Sequence, residues 1–185
     1  GTTLTTLDWY HVTEVDFVYD VYTCDYDDDT HPEVLIANDP NPGGIHVSAL
    51  GWDTGTNKFV FETSWTCQSG SGYSVPMVWS GDVDNDGKTE VIADVSDLDY
   101  ATAGTWALNW DANTEEWTGV PVCTSYPGNT VFGDGVGDVD GDGTPEIGVG
   151  SYGGIPSGWL FEWDGTAFVQ VYPRDLLDQD PVMDS

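Results

Sequence analysis

Three stretches of this chain run in one register: CDYDDDTHPEVLIAN at 24–38, GDVDNDGKTEVIAD at 81–94 and GDVDGDGTPEIGVG at 137–150. Their first aspartates, Asp25, Asp82 and Asp138, lie 57 and 56 residues apart. A repeat of this length constrains the fold more than any other feature. One such unit cannot bury both of its faces alone, so neighbouring units must stack.

The rest of each unit repeats as well. An apolar run precedes each aspartate stretch: VDFVYDVYT (15–23), YSVPMVWS (73–80) and NTVFGDGVG (129–137). A second run follows it: EVLIA, EVIAD and EIGVG. Each unit then reaches LGWD (50–53), LNWD (108–111) or FEWD (161–164), a polar turn, and a last run, KFVFETSW (58–65), EEWTGVPV (115–122) or TAFVQVYP (166–173). These runs are rich in β-branched and aromatic residues and are bounded by turn formers. The prediction is an all-β fold of three four-stranded blades of the β-propeller type. The blades fall at 12–66, 73–123 and 130–173, with 1–11 and 174–185 as terminal segments able to pair with another chain or blade. Closed propellers take about four to eight blades. Three therefore imply a fragment of a longer propeller, an assembly of several chains, or an open stack completed by other copies. DPVMDS (180–185) resembles SVPMVWS (74–80), as though a fourth unit were beginning.

The charge is extreme, with 3 Lys+Arg against 33 Asp+Glu and a net −30. Phosphate backbones and anionic lipid surfaces are thereby excluded as partners. Hydrophobic residues at 39% still supply a core, so the chain is not a disordered acidic tail. Aspartate outnumbers glutamate 25 to 8, as expected where acids sit in turns and cation loops. Cation ligation, a saline habitat and an acidic one all remain open as reasons for the acidity. Three cysteines, Cys24, Cys67 and Cys123, form no C-x-x-C pair. They allow one disulfide and one thiol, without fixing which.

Each aspartate stretch, numbered from its first acid, has Asp at 1, 3 and 5 and Glu at 9. The ligand sets are Asp82, Asp84, Asp86 and Glu90; Asp138, Asp140, Asp142 and Glu146; and Asp25, Asp27, Asp29 and Glu33. Position 7 (Lys88, Thr144, His31) adds a backbone carbonyl. Alternating acids in a tight loop direct their oxygens into one concavity, which suits a hard cation taking 6–8 oxygens. Mg²⁺ suits such a loop less, because it keeps its waters. Position 6 needs a positive φ; Gly87 and Gly143 provide it and Thr30 does not. An EF-hand would need Glu at position 12, where Ile36, Ala93 and Val149 stand, and flanking helices.

D-x-D-x-D-G-x-x-E before a short apolar strand, once per repeat, resembles the FG-GAP/VCBS repeat family. The resemblance covers roughly residues 12–173 and departs at Thr30. It implies integrin-α-like propeller blades with Ca²⁺ in the loop between a blade's first two strands. Two strong Ca²⁺ sites, at loops two and three, and a weaker one at loop one are expected. Three Ca²⁺ would move the net charge only to −24.

Trp52, Trp110 and Trp163 share one repeat position. They are expected as a packing layer between blades, or as platforms for sugar rings. His11, His31 and His46 have no repeat equivalents, and no nucleophile–base motif is present. The chain is therefore expected to be non-catalytic, extracellular or at the cell surface, with a structural or adhesive role. Self-association through terminal edge strands would make it a surface or filament subunit. The alternative is a lectin-like module, or the non-catalytic part of a polysaccharide-acting enzyme.

Overall fold

The computed structural model describes residues 8, 15–40, 46–67, 73–97, 103–124, 126, 130–152 and 158–172. They form twelve strands. The first sheet holds β1 (Val15–Cys24), β2 (Glu33–Pro40), β3 (Val47–Asp53) and β4 (Lys58–Trp65). The second holds β5 (Tyr73–Gly81), β6 (Glu90–Asp97), β7 (Ala103–Asp111) and β8 (Glu116–Cys123). The third holds β9 (Thr130–Gly137), β10 (Glu146–Tyr152), β11 (Gly158–Trp163) and β12 (Phe168–Tyr172). Each sheet is an antiparallel meander in chain order, as the repeat predicts. Among the described residues no helix is long and apolar enough to cross a membrane. The terminal segments expected to pair with other chains, 1–11 and 174–185, lie outside the described residues apart from Asp8, whose carboxylate accepts a 3.0 Å bond from the Phe59 amide.

The middle sheet is covered on both sides. Leu35, Ala37, Val47 and Ala49 of the first sheet, with Tyr26 of its β1–β2 loop, pack on Val78, Val91, Ala93, Val95 and Leu108 of the second. Trp79, Val83, Ile92 and Ala107 on the other side of the second sheet pack on Val131, Ile147, Val149 and Phe161 of the third. Adjacent residues of β6 thus serve opposite neighbours, as the period of two requires. Burying each of the valines, leucines, isoleucines and Phe161 is worth about 1.5–3 kcal/mol, so stacking is what holds the blades. Among the described residues the row of sheets is open, since each core joins only adjacent sheets. Its ends show this. Val21 of β1 is 56% exposed, while Val78, its repeat equivalent on β5, is 1% exposed.

The tryptophans of the WD steps face aromatics directly across their hairpins: Trp52 pairs with Phe59, Trp110 with Trp117 and Trp163 with Phe168. Trp110 also meets Tyr26 of the β1–β2 loop edge-on, with ring centroids 5.0 Å apart. The aromatic contacts of Trp52 and Trp163 lie within their own hairpins. The inter-blade layer is thus carried mainly by Trp65, Trp79, Trp117 and Trp159, which the repeat comparison did not single out. Cys24, Cys67 and Cys123 are all thiols.

Candidate metal centre

Each aspartate loop joins the first two strands of its sheet, and the three are built alike. The position-6 amide donates to the first aspartate at 3.0 Å: Thr30 to Asp25, Gly87 to Asp82 and Gly143 to Asp138. The position-5 amide donates to the position-3 carboxylate at 3.1 Å: Asp29 to Asp27, Asp86 to Asp84 and Asp142 to Asp140. The position-7 amides of His31, Lys88 and Thr144 donate to Asp29, Asp86 and Asp142 at 2.7, 2.8 and 2.8 Å. These bonds turn one oxygen of each acid toward the backbone and fix its direction. The His31 ring Nδ1 lies 3.3 Å from Asp29 Oδ1 at the surface.

The position-9 glutamate closes the loop. Its Oε2 accepts the amide of position 2: Tyr26 to Glu33 at 3.3 Å, Val83 to Glu90 at 2.9 Å and Val139 to Glu146 at 2.7 Å. Two left-handed residues make the turn instead of the single one expected. Position 6 has φ of 78° at Thr30, 87° at Gly87 and 97° at Gly143. Position 4 has 62° at Asp28, 62° at Asn85 and 82° at Gly141. Asp, Asn and Gly are the residues that tolerate this region, so their presence at position 4 is a sequence signal for the second left-handed residue. Thr30 takes the glycine conformation despite its branched Cβ, and its loop keeps the same hydrogen bonds.

Oxygens from three acids gather within 4.8 Å of one another in each loop: Asp25, Asp27 and Asp29; Asp82, Asp84 and Asp86; Asp138, Asp140 and Glu146. Asp25 Oδ1, Asp82 Oδ1 and Glu146 Oε1 are buried without a hydrogen-bond partner. Buried oxygens normally have one. Burial drives the carboxyls of Glu33 and Glu90 up to about 7, and neighbouring acids push the same way against the amide bond from position 2. Burial also raises Asp27 and Asp84. Crowded, partly desolvated carboxylates with orphaned oxygens fit a bound cation, and these clusters can hold a metal ion.

The aspartate of each WD step has a separate job. Asp53, Asp111 and Asp164 accept hydrogen bonds within their own hairpin turns, from Thr56 and Gly55, from Asn113, and from Thr166 and Ala167. Those bonds hold all three carboxyls below their ordinary range.

Residues 25–93 match the family model of the FG-GAP-like repeat. Over that stretch the chain is similar to the FG-GAP-like repeat. The matched stretch opens at Asp25, the first acid of loop one, and ends at Ala93, three residues past the closing glutamate of loop two. It therefore spans two of the three aspartate loops. The third loop, outside the match, repeats the hydrogen bonds of the FG-GAP-like pair. No curated protein and no solved structure matches the chain.

Proposed function

We propose that this is a non-catalytic, Ca²⁺-stabilised repeat protein of the extracellular space or cell surface, with a structural or adhesive role. The triplicated loop, with its orphaned oxygens, carries the reading. All-oxygen donors at this number favour Ca²⁺ over Mg²⁺ and over metals that prefer nitrogen or sulfur. FG-GAP repeats are typical of extracellular proteins, which supports the location. Reading the clustered acids as ligands supports a non-catalytic role. The test is thermal: melting in Ca²⁺ against chelator, for wild type and Asp84→Ala. Equal melting temperatures for wild type in the two conditions would sink the metal reading.

The open ends of the row support assembly of copies. Position 2 of a loop inserts into the next blade: Tyr26 is 3% and Val83 0% exposed, but Val139 of the last blade is 65% exposed. Tyr26 shares its core with Val78, whose equivalent on the first blade is the exposed Val21. Val139 and Val21 thus hold the repeat positions whose counterparts, Tyr26 and Val78, share one core between blades. A second copy seated head to tail, first blade on third, would bury both, and such contacts give rings or filaments. Size measurement and electron microscopy in Ca²⁺ should show polymers that Val139→Asp abolishes; a monomer at every concentration overturns the assembly.

The lectin-like reading has a structural foothold elsewhere than expected. A cleft of about 620 Å³ opens between β4 and β8, lined by Trp65, Trp106, Trp117 and Glu116. Glycan binding lost in Trp106→Ala and kept in Trp163→Ala would favour it.

A further inference from the structure

Each loop also faces an oxygen-bearing side chain from outside its own motif. On β11, Glu162 stands directly across from Glu146. Like charges placed opposite one another destabilise a sheet, and the chain has only 3 Lys+Arg to neutralise 33 acids. Glu146 is 2% exposed and its Oε1 has no hydrogen-bond partner, while its carboxylate groups with Asp138 and Asp140.

The same place is filled in the other blades by different means. On β7 it is Asn109, which follows Leu108, the partner of Val91. Asn109 lines a cleft of about 470 Å³ with Asp84, Asp86 and Glu90. On β3 it is Gly51, which has no side chain to offer. The Glu62 carboxylate of β4 occupies that space instead, since a Cβ on Gly51 would collide with it. Glu62 Oε2 accepts a 3.4 Å bond from the hydroxyl of Tyr26, the second residue of loop one.

We propose that Glu62, Asn109 and Glu162 each complete the cation centre of their own blade from outside the loop. This rests on the reading that the loops bind a divalent cation. The consequence is a difference in charge. Centres one and three are faced by a fifth carboxylate, whereas centre two has a neutral amide there and Lys88 in its loop. Ligand charge and number set the affinity of oxygen sites. Groups that support a first ring of ligands change metal affinity by about 10- to 100-fold when altered.

The experiment is calorimetric titration of chelator-stripped protein with Ca²⁺ alone. Wild type should bind three ions. Glu162→Gln and Glu62→Gln should each weaken one binding event about tenfold, and Asn109→Asp should strengthen one about tenfold. The last variant works in the gaining direction, so a folding defect cannot imitate it. Three ions in wild type with unchanged affinities in the variants, or with the signs reversed, overturns this proposal and leaves the calcium reading standing. Absence of binding in wild type overturns both.

Discussion

The Val83 amide donates a 2.9 Å hydrogen bond to Glu90 Oε2, while the Val83 side chain is fully buried between the second and third sheets. One residue thus joins the aspartate loop to the stacking of blades. Tyr26 repeats the arrangement through Glu33, with its ring against Trp110 and Trp117. A cation that fixes Glu90 also fixes the backbone from which Val83 reaches the next blade.

If the loops bind Ca²⁺ as proposed, that coupling should make cation removal a global event. Chelation should lower the melting temperature of the whole protein in one cooperative step. At 100 times its dissociation constant, one bound ion adds about 2.7 kcal/mol. Asp84→Ala should remove about a third of the Ca²⁺-dependent shift in melting temperature, since it disables one loop of three. Differential scanning calorimetry with and without chelator measures both. A loss confined to one blade, seen as a separate early transition, would contradict the coupling.

Thr30 sits at φ 78° where its counterparts are glycines. The left-handed region costs a residue with a Cβ roughly 1–2 kcal/mol. Thr30→Gly should recover about 1 kcal/mol of that, offset in part by the freedom glycine gains in the unfolded chain. It should also tighten the first cation centre. Chemical denaturation in saturating Ca²⁺ reads the first effect and titration the second.

Gly81 ends β5 where the third sheet closes in. A Cβ built there would lie 2.9 Å from the Val136 side chain of β9. Gly81→Val should therefore push the second and third blades apart and cost about 1–3 kcal/mol. Gly137, the equivalent on the third blade, has nothing within 4 Å of such an atom. A valine at Gly137 should cost distinctly less, and comparing the two unfolding free energies checks the direction of stacking.

Glu33 and Glu90 set a pH dependence in the chelated protein. Both carboxyls lie near 7 in the fold, against an ordinary 4.5. The folded state therefore binds protons more tightly than the unfolded one. Their contribution is fully present below pH 4.5 and is lost as pH rises through about 7. Melting in chelator should fall between pH 5 and 8 on their account. With Ca²⁺ the trend should flatten or reverse, because protons and the cation compete for the same oxygens. Glu90→Gln should weaken the chelated protein's slope.

The sequence alone determined the strands, their order and the loops. Those rest on local patterns: a period of two, turn residues at fixed offsets, and acids at positions 1, 3, 5 and 9 repeated every 56 or 57 residues. Even the second left-handed position was written there, in Asp28, Asn85 and Gly141. Only the tertiary structure decided which aromatics join blades. Trp52 and Trp110 are equivalent in sequence, yet only Trp110 has the first blade's Tyr26 against it. It alone placed Glu62 over Gly51, since a carboxylate from β4 can stand in for a missing side chain on β3 only once the hairpin is folded. It also separated Val83 from Val139, which share a repeat position and differ only in whether a neighbouring blade covers them. Repeats encode the unit locally, whereas burial depends on what each unit meets.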